Sequence, residues 1–139
     1  MDRVVWAGRV WGKLAVNCAI NPLAALTGLT NGALLERPRL RTLMSRAARE
    51  VADVAKAKGI HLPGDPAERA EAVAKATGAN RASMLQDLER GVPTEIAFLN
   101  GAVVAEAARR RVPTPVNEWL WCSMRAWEAA RSVRTRLSA

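Results

Sequence analysis

A chain of 139 residues, half of them hydrophobic and a quarter charged, can bury one substantial core and lacks the charge bias of a disordered segment. It has no Tyr, one Phe and five Trp, so packing falls to Ala, Leu and Val; a lone histidine and two distant cysteines argue against a zinc site. The excess of 21 Lys and Arg over 13 Asp and Glu, a net +8, favours acidic partners, but the arginines are scattered without interleaved aromatics, unlike a nucleic-acid surface.

The first helix is predicted over about Val4 to Leu26, with Val10, Trp11, Leu14, Ala15, Val16, Cys18, Ala19 and Ile20 spread around most of its circumference, as in a buried helix. Lys13, Asn17 and Asn21 stand at i, i+4 and i+8 and so share one face. A buried ammonium and two buried carboxamides are unfavourable without partners. Either they satisfy neighbouring helix ends, or they line a polar groove for a small polar ligand. Pro22 is expected to bend the helix just after Asn21, because it lacks an N–H and crowds the preceding turn. The same three polar residues interrupt any signal-peptide or membrane-spanning run, which points to a cytoplasmic protein. Cys18 and Cys122 sit in apolar helical runs and read as buried free thiols in a reducing compartment.

Thr27 to Gly32 reads as a loop, with Asn31-Gly32 as its turn signal. Pro38 opens a second helix that runs to Lys58, carries Leu40, Leu43, Met44, Ala47, Val51, Val54 and Ala55 on its apolar stripe, and stops at Gly59. His61 lies in the loop that follows and reads as an exposed bystander. Asp65 caps a third, Ala-rich helix ending near Gly78, with Glu68 set for a reciprocal contact. Asn80 is placed to cap a fourth helix stopped by Gly91, and Asn80 and Ser83, three apart, share a face. Thr94 is predicted to cap a fifth helix reaching Arg109-Arg110-Arg111, whose charges suit a helix C-terminus. Thr114-Pro115 starts a last long helix with Trp119, Trp121, Cys122, Met124 and Trp127, and the basic tail beyond Arg131 is expected to fray. No stretch alternates as a half-buried strand does, so one all-α domain of about six helices over 1–139 is expected. No glycine-rich dinucleotide fingerprint or phosphate loop occurs.

Three blocks stand in order: Trp-Gly-Lys-Leu-Ala-Val-Asn-Cys-Ala-Ile-Asn-Pro-Leu at 11–23, Asn-Arg-Ala-Ser-Met-Leu-Gln-Asp at 80–87 and Thr-Glu-Ile-Ala-Phe-Leu-Asn-Gly at 94–101. Thr114-Pro115-Val116-Asn117 follows them. Together they closely resemble the C-terminal helical domain of ketopantoate reductase, also called 2-dehydropantoate 2-reductase, from about Trp11 to Trp127. The resemblance implies an oxidoreductase that reduces ketopantoate to pantoate with NADPH, on the route to pantothenate and coenzyme A. A Rossmann domain would hold the cofactor, in cis or in trans, and a homodimer is compatible with the family.

By the same resemblance, Lys13 matches the catalytic lysine and Glu95 the active-site glutamate. Ser83 matches the serine facing the substrate carboxylate, and Asn17, Asn21, Asn31 and Asn80 match the asparagines that orient the ligand. Two departures stand out. Ala97 occupies a position where the family commonly has Asp; counted from a Thr94 cap it is N3, so its loss implies a stability cost of about 1 kcal/mol or less. The cofactor half is missing from this sequence, so the chain alone is expected neither to bind NADPH nor to turn over. The competing expectation is a stand-alone helical binding or dimerisation module that has lost reductase activity.

Overall fold

The computed structural model describes residues 2–138, apart from the side chains of 133–135. Among these residues the chain is helical, with seven helices and no strand: α1 (Arg3–Thr27), α2 (Asn31–Leu35), α3 (Pro38–Ala57), α4 (Pro66–Ala76), α5 (Ser83–Arg90), α6 (Asn100–Arg110) and α7 (Pro115–Ser138). The expected all-α class is what forms.

α1 is the axis, packed by α3, α4, α5 and α7. Asp2 caps it by accepting from the Val4 N–H at 3.1 Å, and Gly28 ends it in the left-handed conformation at φ 72°. Its buried side is made of small residues, Gly8, Gly12, Ala15, Cys18 and Ala19 among them, which let neighbours approach closely. At Gly8 a Cβ would stand 2.5 Å from the His61 carbonyl oxygen, so only glycine fits there. The helix passes through Pro22 without ending.

The stripe predicted for α3 is largely the buried one: Met44, Ala47, Val51, Val54 and Ala55 are buried, and Pro38 is its first residue. Asp65 caps α4 through the Ala67 and Glu68 N–H groups at 2.8 and 3.4 Å. α7 begins at Pro115.

Several expectations are overturned. Asn31-Gly32 is the first turn of α2 and not a loop, because Gly32 packs on Gly78. A Cβ on Gly32 would lie 2.8 Å from the Gly78 Cα, and the Asn31 and Gly32 N–H groups donate to the Asn80 and Gly78 carbonyls at 3.0 Å each. Asn80 therefore does not cap α5, whose N-cap is Ala82. Thr94 starts no continuous helix either. Residues 94–99 form a non-helical turn in which the Phe98 and Leu99 N–H groups both reach the Glu95 carbonyl, and α6 begins only at Asn100. Thr94 instead hydrogen-bonds through its hydroxyl to Glu128 on α7. Ala97 is consequently not the third residue of a helix, and the missing capping-box carboxylate carries no cost at that place. Cys18 is buried, but Cys122 is exposed on α7. The segment beyond Arg131 continues as helix to Ser138, and Ala139 lies outside the described residues. No helix among the described residues is long and apolar enough to cross a membrane.

Candidate active site

The polar residues of this chain fall into two groups. Glu50, Asn100 and Asn117 are buried and hydrogen-bonded to one another or to the backbone, with only the Asn100 Oδ1 left without a partner. Asn117 donates from Nδ2 to the Ala47 carbonyl at 3.0 Å and to Glu50 Oε1 at 2.9 Å, while its Oδ1 accepts from Asn100 Nδ2 at 3.0 Å. Glu50 accepts in addition from the Val116 and Asn117 backbone N–H groups, both at 3.0 Å. A buried carboxylate of α3 thus serves the otherwise unpaired donors in the first turn of α7. The second hydrogen of Asn100 Nδ2 goes to the Cys18 carbonyl at 3.1 Å. That carbonyl lies four residues before Pro22, so the proline deprives it of its helical donor and Asn100 supplies one. Burial pushes the Cys18 thiol well above its ordinary range, which makes it a packing group. None of these three residues was singled out for such a role by sequence reasoning. The available signal was Glu50 itself, which lies on the apolar stripe three residues after Ala47 and four before Val54.

The second group has no such partners. Lys13 is exposed and Asn17 and Asn21 are half-buried, in a row along α1. The Lys13 ammonium is therefore not buried, as a mostly apolar helix had suggested, because this face of α1 is left uncovered by the other helices. No hydrogen bond or ion pair within the described residues engages the side chains of Lys13, Asn17, Asn21, Ser83 or Glu95. Ser83 is the exposed first residue of α5, which packs against α1, and Glu95 is exposed at the start of the turn that leads from α5 to α6. Asn80 is also exposed, with its backbone carbonyl held by Asn31.

Asn31 differs from the rest of the predicted set. It is buried, and its Nδ2 donates to the Thr77 hydroxyl at 3.0 Å while Oδ1 has no partner. The same row on α1 continues toward the N-terminus as Val10 and Trp6, exposed by 44% and 59%. The ammonium and two amides on this face of α1 keep free hydrogen-bonding capacity, as do the Ser83 hydroxyl at the start of α5 and the Glu95 carboxylate in the turn beyond it. A separate cleft of about 380 Å³, lined by Leu26, Leu85, Leu88 and Trp127 among others, shares no residue with this set. Among the described residues no group of His, Cys, Asp and Glu is placed to hold a metal.

Comparison with known proteins gives these residues a context. The family model described as ketopantoate reductase PanE/ApbA C terminal matches residues 6–128. The 2-dehydropantoate 2-reductase of Pyrobaculum aerophilum is 41% identical over 119 residues, covering 86% of this chain and 43% of that protein. That of Archaeoglobus fulgidus is 38% identical over 121 residues, covering 87% and 40%. Among solved structures, a PanE/ApbA family ketopantoate reductase from Ralstonia eutropha superposes with a TM-score of 0.85 at 34% identity, over 90% of this chain and 42% of that one. The chain therefore spans about two fifths of the length of the relatives it matches. With a family match across most of the helical chain and the same fold in a solved member, this protein belongs to the ketopantoate reductase PanE/ApbA family, as its C-terminal helical part.

Proposed function

We propose that this chain is the substrate-binding and catalytic domain of an NADPH-dependent 2-dehydropantoate 2-reductase, working with a Rossmann cofactor domain in cis or in trans. The observation that carries the reading is the unengaged row Lys13, Asn17 and Asn21 on the otherwise packed middle of α1. A helix that keeps a cation and two amides free along one face, while the Asn100 and Asn117 amide nitrogens are each spent on two acceptors, supports reading that face as a ligand face. Trp6 and Val10 extend the row as exposed apolar surface, suited to cover by another domain.

The residues of this chain do not by themselves fit a dinucleotide: the described elements are all helical, and no parallel sheet with a glycine-rich turn is present among them. NADPH is thus assigned to the partner domain. The role of this chain is to bind and orient the 2-oxo acid and to manage a proton. The Lys13 ammonium would lie against the 2-oxo oxygen, stabilise negative charge that develops there and hold the proton that neutralises it. Glu95 would accept from a substrate hydroxyl and balance Lys13. Ser83 and the amides of Asn17, Asn21 and Asn80 would bond the carboxylate and hydroxyls without cancelling its attraction to the lysine. For Asn31, the Oδ1 atom is the one left to contribute.

The test pairs the chain with a competent cofactor domain and follows ketopantoate reduction. Lys13→Ala should lower turnover roughly 10²–10⁴-fold with the thermal midpoint held, since an exposed lysine supports no core. Glu95→Gln should mainly weaken substrate binding. Wild-type turnover in Lys13→Ala would overturn the assignment.

A further inference from the structure

The buried amide of Asn100 joins the two segments that carry the candidate catalytic pair. We propose that Asn100 is a positioning residue: by filling the hydrogen bond that Pro22 removes from the Cys18 carbonyl, it fixes the register between the Lys13–Asn17–Asn21 face of α1 and the turn bearing Glu95. This rests on the reading above that those residues form one site.

On the α1 side, Cys18 and Pro22 directly follow Asn17 and Asn21, and the Cys18 carbonyl is where a proline leaves an α-helix short of a donor. On the other side, Asn100 is the first residue of α6 and follows Glu95 by five positions. The intervening turn is stiff. The Phe98 and Leu99 N–H groups meet the Glu95 carbonyl at 2.9 and 3.0 Å, the Gly101 N–H meets the Ile96 carbonyl at 3.0 Å, and Ile96 is buried. Gly101 itself abuts the Trp121 ring, so a shift of Asn100 has no slack to dissipate into.

The amide also has only one workable orientation. Both hydrogens of Nδ2 are spent on acceptors, the Cys18 carbonyl and Asn117 Oδ1, and a flip would set Oδ1 against both of them. Asn117 is in turn locked by Ala47 and Glu50. The placement of α1 relative to the Glu95 turn is therefore tied, through one side chain, to α3 and α7.

The experiment uses the full chain with nitroxide labels introduced by V10C and F98C, both at exposed positions that carry none of the proposed substrate-binding groups, in a Cys122→Ser background. Cys18 stays unlabelled because it is buried. Pulsed EPR reads the distance distribution from α1 to the Glu95 turn. In Asn100→Ala that distribution should shift or broaden, whereas Val51→Ala, a core truncation in α3, should lower the thermal midpoint and leave it unchanged. Pro22→Ala restores a backbone N–H to the Cys18 carbonyl, so Asn100→Ala should lower the midpoint less in that background while still displacing the distance. The double variant also keeps the test decisive where Asn100→Ala alone fails to fold.

In the enzyme assembled with a cofactor domain, Asn100→Ala should lower kcat/KM roughly 10- to 100-fold, as expected for misplaced groups. A distance distribution identical to wild type, or one moved equally by Val51→Ala, would overturn the proposal, as would full activity with a displaced register. The distance measurement requires neither substrate nor cofactor. Failure of the wild-type assembly to reduce ketopantoate would therefore count against the functional reading alone.

Discussion

Glu50 offers the sharpest test of how the fold is held, because its position in a helix suggests one result and its surroundings another. An exposed glutamate within a helix can be replaced by Ala with a change within about 0.5 kcal/mol, and Ala is the better helix former. Glu50 is only 8% exposed, however, and its carboxylate accepts from three donors: the Val116 N–H, the Asn117 N–H and Asn117 Nδ2. Truncation to Ala would strand those donors where water has little access, at about 1–3 kcal/mol for each left unpaired. Relief from burying the carboxylate offsets part of that, so Glu50→Ala should cost about 3–5 kcal/mol, the range for removing one member of a buried charged network. With an unfolding entropy near 2.1 cal/mol/K per residue, a chain of 139 residues should lose about 10–17 °C in midpoint. Glu50→Gln keeps the volume and one acceptor oxygen but turns an NH₂ toward backbone donors, so about half the loss is expected. Urea unfolding of the three proteins at unchanged m-value measures this directly. A Glu50→Ala chain within about 0.5 kcal/mol of wild type would refute the claim that α3 caps α7.

Two other outcomes follow from local geometry. Lys58, and after it Arg110 and Arg109, hold the Glu106 carboxyl below the ordinary carboxylate range. Its contribution to stability is then complete above the unfolded glutamate pKa of about 4.3 and is lost as pH falls through the lower folded value. The midpoint gap between wild type and Glu106→Gln should accordingly shrink as pH drops below about 4, and a gap that stays constant down to about pH 3 would contradict it. Gly32→Ala should destabilise by about 1–3 kcal/mol, because its Cβ would meet the Gly78 backbone at 2.8 Å, where no flexible side chain can yield. A neutral midpoint would mean that α2 and the Gly78–Asn80 segment do not pack as described.

Elements with a strong local signal were legible from the sequence. The apolar stripe of α3, Pro38 at its start, Asp65 capping α4 and Pro115 opening α7 all follow from periodicity and cap chemistry within one segment. Asn31-Gly32 was misleading because the dipeptide has two uses. It favours a tight turn, but here the missing Cβ serves close backbone approach to Gly78, a contact 46 residues away that no local pattern reveals. Thr94 misled in the same way: its hydroxyl oxygen accepts from the Ile96 N–H at 3.4 Å, as a cap would, but its proton goes to Glu128 on α7 and the helix is delayed to Asn100. The exposure of Cys122 was lost because a small apolar residue beside Trp121 looks buried in any periodic reading.

For the candidate site the asymmetry runs along a single helix. Lys13, Asn17 and Asn21 announced themselves because three polar residues at four-residue spacing are conspicuous in an apolar background. What could not be read is which asparagines hold the protein together and which are left free. Asn100 and Asn117 look no different in sequence from Asn17 and Asn21; they are separated only by what lies opposite them, a proline-orphaned carbonyl and a buried glutamate in the first pair and an uncovered face in the second. Pro22 is the hinge between the two groups. It is buried directly after Asn21, above Cys18 on the packed side, and removes a backbone donor from that side of the turn. A helix ending there would have left Asn21 at a fraying terminus. A helix without the proline would have needed nothing from Asn100 and would lack a directional tie to the segment carrying Glu95. The proline costs α1 an internal hydrogen bond, and the replacement from α6 brings a fixed alignment between two parts of the chain that are 82 residues apart at their point of contact.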